Sequence, residues 1–314
     1  MMASQSQIEW NKHHQSWLQF LRGFIDAVET GKAIPLGPSA EGLTPPPPGK
    51  AEGTPAKVVL CPPHPDDEAL SGALALRLRQ DSGAEITSVA ITLGSDSAER
   101  PRRLRELEAA CRALAFNLVV VRSPHGLDRV TEKSRREEPA IWAQKVEALR
   151  EIFDQEKPDL VFAPHAQDFN TTHMGTHWLV ADALAMHSER SGRGPVLLAE
   201  TEIWHQMERP NLMIGLTPEL VAAQLVGAVE HGDEMRRNPY HLVHACRLMD
   251  NVRRGSEVVG GQGAAARDYA FAEIYNLVQI KGLERLEPAK TCVIDPEVKI
   301  SIPWLKAQFW PQGA

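Results

Sequence analysis

Short, uninterrupted apolar runs recur through the middle of the chain. They are Val58-Val59-Leu60-Cys61, Ile86 to Leu93, Leu118-Val119-Val120-Val121, Leu160-Val161-Phe162-Ala163 and Val196-Leu197-Leu198. Apolar runs of this length predict strands buried on both faces. Between them, residues 67–80, 99–116, 140–156 and 176–187 carry apolar positions three and four apart, as Leu70, Leu74 and Leu78 do. That period predicts helices. Strands alternating with helices predict a parallel sheet covered on both sides, with right-handed crossovers. The expected fold class is therefore α/β: a Rossmann-like three-layer sandwich with a mostly parallel sheet.

The flanks read differently. Residues 8–30 predict an amphipathic helix, with Trp17, Phe20, Leu21, Phe24 and Val28 on one stripe. Its polar face is mixed rather than basic, so the stripe is expected to pack on the main domain and not on a membrane. Residues 31–56 are rich in Gly, Pro and Ser, and Pro45-Pro46-Pro47-Pro48 imposes an extended run. After Met213 the pattern is mostly helical, over 217–230 and 234–259, followed by a turn at Gly260-Gly261-Gln262-Gly263. Tyr269 to Val278 predicts a last helix or strand that docks on the core. The expected division is an N-terminal helix and linker over 1–56, the main domain over 57–280 and a tail over 281–314.

Composition narrows the function. The 314 residues suffice for one large α/β domain with additions. The net charge is −7 and Lys and Arg are spread along the chain, which argues against a nucleic-acid surface. The basic run from Arg100 to Arg105 is set among Glu99, Glu106 and Glu108 and reads as a solvated helix start. No two of Cys61, Cys111, Cys246 and Cys292 have Cys-x-x-Cys spacing, so a thiolate zinc site is not expected and a reducing compartment is. Met1 to Gln7 lacks the pattern of a signal peptide, and no apolar stretch approaches a membrane span. The expectation is a soluble cytoplasmic protein with no membrane partner.

The chemistry-bearing residues fall after strands. The first strand runs directly into Pro62-Pro63-His64-Pro65-Asp66-Asp67-Glu68, a loop stiffened by prolines. The third is followed by Ser123-Pro124-His125-Gly126-Leu127-Asp128. The fourth is followed by Pro164-His165-Ala166-Gln167-Asp168, then Thr172-His173-Met174-Gly175-Thr176-His177. In an open α/β sheet these loops gather beyond the carboxyl ends of the strands, where ligands bind.

Such a gathering of His and carboxylate suits a metal. Catalytic zinc takes three protein ligands and keeps one place for water. His64 and Asp67 can turn toward one point, and one more His from the fourth-strand loop completes the set. Asp66, which need not bind the metal, is then the natural base. The acidic string alone could instead cap a helix N-terminus; the His-rich loop tips the balance toward a metal. His173 and His177 have the spacing of zinc-protease helices, but Met174 stands where that chemistry needs Glu. The first strand also lacks a Gly-rich phosphate loop, which argues against a nucleotide site.

Residues 63–68 match the motif of the LmbE-like, or PIG-L, N-acetylglucosamine deacetylases, and the chain resembles that family from about Val58 to Val278. The resemblance implies one Zn2+ per chain held by His64 and Asp67, with Asp66 as general base; ferrous iron or another divalent ion suits the same ligands. A second family motif, His-x-x-His, supplies the third ligand from its second His and a transition-state histidine from its first. Here the histidines are one residue further apart, so His177 is expected as the ligand and His173 as the transition-state residue, with His165 as a substitute for the latter. The resemblance further implies Asp168 beside His173, and Asp128 and Arg105 toward the sugar. The family's His-x-Ser-Gln element corresponds to His231-Gly232-Asp233-Glu234, where Ser-Gln is replaced and no role carries over. The implied activity is zinc-dependent removal of the acetyl group from an N-acetylglucosamine-type conjugate, a small-molecule amino sugar. The same site would serve an amidase acting on a thiol conjugate or another acylated amino sugar, and a non-catalytic sugar-binding relative would keep the fold.

Overall fold

The structure is a computed structural model that describes residues 5–39, 43–192 and 194–311. Residues 1–4 of the polar N-terminal stretch lie outside the described residues. The first three strands follow the apolar runs: β1 (Lys57–Leu60), β2 (Glu85–Ala90) and β3 (Asn117–Val120), the last a half-exposed edge strand. Next come β4 (Leu160–Pro164) and β5 (Val196–Thr201). These five lie parallel in the order β3-β2-β1-β4-β5.

The chain thus builds outward from β1 to β3, then crosses back to place β4 on the other side of β1. The crevice at that reversal opens at the carboxyl ends of β1 and β4, where the first and fourth loops emerge. Side chains alternate across the sheet. Val58 and Leu60 pack on one face with Leu74, Leu107 and Leu220, while Val59 and Cys61 pack on the other with Leu149, Phe153 and Leu179. Two separate apolar clusters with a sheet between them make the three layers, as expected.

The helices of these layers are α2 (Asp67–Leu70), α3 (Ala73–Ser82), α4 (Arg100–Leu114), α5 (Glu132–Glu137), α6 (Pro139–Glu156) and α7 (Thr171–Ser191). The periodicity predicts one helix over 67–80; the structure breaks it at Gly72. A Cβ there would meet the Glu68 carbonyl oxygen at 2.3 Å, so the chain bends where only glycine fits.

Beyond β5 the structure adds β6 (Leu212–Leu216), α8 (Pro218–Ala228), α9 (Gly232–Arg237), α10 (Tyr240–Val258) and β7 (Phe271–Lys281). The ambiguous segment near 269–278 is the strand β7, antiparallel to β5 and β6. The last residues form β8 (Glu284–Leu286), β9 (Cys292–Ile294) and α11 (Ile302–Phe309). β8 pairs with β7 and β9 with β6, giving a nine-stranded sheet, and Leu305 and Phe309 are buried in its core.

The N-terminal helix is α1 (Gln5–Lys32). It meets the rest chiefly through α10, with Gly31 against Leu242. The sequence pattern predicts that its apolar stripe packs on the main domain; Trp17, Phe20, Leu21 and Phe24 are exposed instead. Among the described residues no helix is long and apolar enough to cross a membrane.

Candidate active site

The loop after β1 is pinned on every side. The Cys61 N–H donates to Phe162 on β4 at 3.0 Å, the Thr92 hydroxyl donates to the Pro63 carbonyl at 2.7 Å, and an Arg103 N–H donates to the Pro65 carbonyl at 3.1 Å. Asp66 sits at φ 122°, a region that non-glycine residues rarely adopt. Strain of this kind persists where the surroundings over-determine it and clusters at functional sites. Its own N–H donates to Glu68 Oε2 at 2.9 Å, and Glu68 Oε1 lies 2.6 Å from Nε2 of the buried His231. His231, which carried no role in the sequence, thereby anchors the acidic loop from α9.

Three side chains converge at the crevice. His64 Nδ1 and His173 Nε2 are 3.2 Å apart, and Asp67 Oδ2 lies 3.5 Å from the former and 3.4 Å from the latter. Zinc bonds of about 2.0–2.1 Å in a tetrahedron place ligand atoms roughly 3.3 Å from one another. The observed separations fit one such ion, with the fourth direction free for water or substrate. His173 is fully buried, and its Nδ1 donates to Asp168 Oδ2 at 2.7 Å, which turns Nε2 toward the cluster. A carboxylate behind a ligating imidazole is the usual support of a metal histidine. Asp168 Oδ1 accepts from the N–H groups of Trp204 at 2.7 Å and His205 at 2.8 Å.

The start of α7 sets this register. Asn170 caps the helix, its Oδ1 accepting from the Thr172 N–H at 2.9 Å, so His173 lies in the first turn. Gly175 lets that turn close on the preceding loop, since a Cβ there would meet the Val130 carbonyl oxygen at 2.2 Å. His177 lies one turn further, about 6 Å along the axis. Its Nδ1 donates to the Pro164 carbonyl at 3.0 Å and lies 3.5 Å from Glu200 Oε1, and it lines a second pocket with Arg285.

Spacing and resemblance place His177 in the ligand set and His173 outside it. In the structure His173, rather than His177, lies beside His64 and Asp67. The His-x-x-His spacing is met one turn earlier, by Asn170-Thr171-Thr172-His173, with Asn in place of the first His. His165, the substitute, bonds the His205 carbonyl through Nε2 at 2.9 Å and lies in the second pocket.

The cluster opens into a cavity of about 1080 Å³. Asp66 lines it, as do Asp128, Arg103, Trp204 and Tyr240. Arg105 is exposed and does not line it; Arg102 and Arg103, just before it on α4, do, because the helical turn faces them inward. Asp128 pairs with Arg100 at the mouth. Asp168 is buried behind His173 rather than in the cavity.

The charges divide the two aspartates. Burial pushes Asp66 well above the usual carboxylate range, and neighbouring Asp67 and Glu68 push it further, against Arg103. Asp66 therefore holds a proton readily. Burial also opposes charge on Asp67, but His173 and His64 outweigh it and hold that carboxyl below the usual range. Burial opposes charge on His173 as well, yet Asp67 and Asp168 push it up to about 10. The carboxylates that raise His173 would also attract a metal cation.

Fold and site together define an α/β protein with a His-His-Asp cluster that could hold a metal at its topological switch point. Residues 59–184, from β1 into α7, match the model of the PIG-L family, GlcNAc-PI de-N-acetylase. The resemblance read from residues 63–68 is thereby borne out.

Solved structures share the fold. The A40926 pseudoaglycone deacetylase Dbv21 aligns at a TM-score of 0.51 and 16% identity, covering 73% of this chain and 98% of that one. The conserved protein TT1542 from Thermus thermophilus aligns at 0.50 and 16%, covering 70% and 94%. GalB, the 4-carboxy-2-hydroxymuconate hydratase from Pseudomonas putida KT2440, aligns at 0.52 and 16%, covering 71% and 96%. A deacetylase and a hydratase on one fold mean that the reaction must be read from the site. No curated protein matches the sequence.

Proposed function

We propose that this protein is a metal-dependent hydrolase that removes an acetyl group from the nitrogen of an N-acetylglucosamine-type amino sugar. One observation carries the reading: two imidazole nitrogens and one carboxylate oxygen converge at metal-ligand spacing beside the buried Asp66. His64, Asp67 and His173 would hold the ion, and two His with one carboxylate suit zinc. Bound there, zinc supplies Lewis-acid polarisation of the acyl carbonyl and a water whose pKa falls to about 7.

Asp66 takes a proton from the attacking water at its carboxylate. Water oxygen bonds to the acyl carbon, the carbon–nitrogen bond breaks, and the protonated Asp66 returns the proton to the leaving nitrogen. The products are acetate and a free amine. With His173 as a ligand and His165 and His177 bonded behind β4, both transfers fall to Asp66 in this reading. Asp168 positions His173, while the Glu68–His231 pair holds the loop that presents Asp66. The family named by the matching model supports the amide chemistry. The size of the cavity supports a substrate extended beyond its acylated sugar.

The test is amine release from a panel of N-acetylglucosamine conjugates, run with metal-stripped and zinc-restored protein. Zinc-restored turnover of an acetamido sugar is expected. Release only from acylated thiol conjugates would move the substrate class. No release from any amide, with zinc bound at one per chain, would refute the hydrolase.

A further inference from the structure

The wall of the cavity contributed by α10 has no part in the chemistry above. Tyr240, Val243, His244 and Arg247 line it at positions i, i+3, i+4 and i+7, one helix face. The cavity's other arginines face carboxylates: Arg102 pairs with Glu106, Arg129 with Glu138 and Arg237 with Glu234, and Arg103 lies in the field of Asp66 and Glu234. Among the described residues Arg247 donates a hydrogen bond to the Glu202 carbonyl and has no carboxylate partner, since Glu202 itself pairs with Arg254. Beside Arg247, His244 is 3% exposed and its Nε2 has no hydrogen-bond partner among the described residues. Trp204 and Tyr240, edge to face at 6.2 Å, flank the same wall.

An unpaired guanidinium beside an unsatisfied imidazole is a receptor for a planar or tetrahedral anion. We infer that Arg247, with His244, binds a carboxylate or phosphate carried by the substrate at a distance from its acetamido group. The subsite rests on the hydrolase reading for its substrate, but not for its ligand chemistry.

The experiment compares N-acetylglucosamine, N-acetylglucosamine 6-phosphate and N-acetylmuramic acid on zinc-loaded wild type, Arg247→Gln, Arg247→Lys and Arg129→Gln. Charge-assisted bonds of this kind predict kcat/KM at least about tenfold higher for one acidic sugar than for the neutral one. Which of the two is preferred tells phosphate from carboxylate. Arg247→Gln should bring the ratio near one, Arg247→Lys should keep part of it, and Arg129→Gln, at the mouth, should leave it. No preference in wild type, or a preference that survives Arg247→Gln, overturns the subsite. If none of the three sugars is hydrolysed, that result bears on the substrate of the hydrolase reading alone. The subsite is then judged by calorimetry of glucosamine 6-phosphate against glucosamine. Tighter phosphate binding lost in Arg247→Gln supports it; equal binding, or phosphate binding that survives the substitution, overturns it.

A separate observation concerns α1. Trp10, His14, Trp17, Leu21, Phe24 and Val28 alternate spacings of four and three, a heptad seam, with Phe20 and Ile25 flanking it. Glu9, Lys12, Arg22, Asp26 and Glu29 all fall off the seam. Trp10 is 59% exposed, Trp17 64% and Ile25 61%. At usual side-chain areas the stripe leaves on the order of 800 Å² uncovered, the area each partner buries in a standard interface. Acidic and basic residues on the helix balance, which disfavours an anionic membrane. We infer that α1 pairs with α1 of a second copy of this chain. Sedimentation velocity across a dilution series should show a dimer for wild type and for Lys12→Glu, and a monomer for Leu21→Glu with helicity retained. A monomeric wild type, or a dimeric Leu21→Glu, overturns the pairing; a monomer that binds phosphatidylcholine vesicles would assign the face to lipid instead.

Discussion

Asp168 holds His173 through one carboxylate oxygen, 2.7 Å from Nδ1, and holds the backbone of residues 203–205 through the other. One buried side chain thus fixes both a candidate ligand and the loop that carries Trp204 into the cavity. Asp168→Asn should weaken zinc affinity about 10- to 100-fold, as loss of such a partner usually does. Competition against a chromogenic chelator measures it. Unchanged affinity would mean that His173 needs no support or binds no metal.

The two histidines of α7 should separate cleanly. His173→Ala is expected to lose stoichiometric zinc, whereas His177→Ala should retain it, because His177 bonds Pro164 and faces Glu200. Metal analysis of the purified variants decides. Retention by His173→Ala with loss by His177→Ala would restore the expectation drawn from spacing alone.

Asp66→Asn should keep one zinc per chain and lose about 10²- to 10⁴-fold in kcat, the range for a positioned acid–base group. His64→Ala should lose both metal and turnover. Near wild-type turnover by Asp66→Asn on its best substrate would remove Asp66 from the proton transfers.

Glu273 predicts a pH dependence of stability away from the metal. Burial raises its carboxyl to about 7 in the folded chain, above the ordinary value of about 4.3. Between these values the folded state holds more protons than the unfolded one, so stability falls as pH rises through the window. The loss from this group is complete above about pH 7 and is of order 3 kcal/mol at most. Glu273→Gln should therefore gain on wild type between about pH 5 and pH 8 in urea unfolding. A difference independent of pH would show that Glu273 ionises normally when folded.

Much of this was legible locally. The apolar runs name the five parallel strands because four of them are buried along nearly their whole length and have no polar positions to hide, and the edge strand β3 carries the same apolar run. Residues 63–68 identified the loop at the switch point because prolines, His and acids lie together in sequence. The last strands escaped notice because β8 and β9 have three residues each, too few for a period, and are strands only by pairing with β7 and β6. Arg103 lines the cavity and Arg105 does not, because which side of a helix faces a cavity depends on what packs against the other side.

The sequence by itself determined that His64 and Asp67 lie together, since their short separation and a stiff loop hold them, and that a histidine from the fourth-strand loop would join them. Only the tertiary structure decided which histidine. Asn170 caps α7 and Gly175 admits its first turn against Val130, and that docking brings His173 over the end of β1 while His177 falls behind β4. A helix start set by a side-chain cap and a backbone contact across the fold is invisible to spacing, because spacing counts residues and not where the helix is laid.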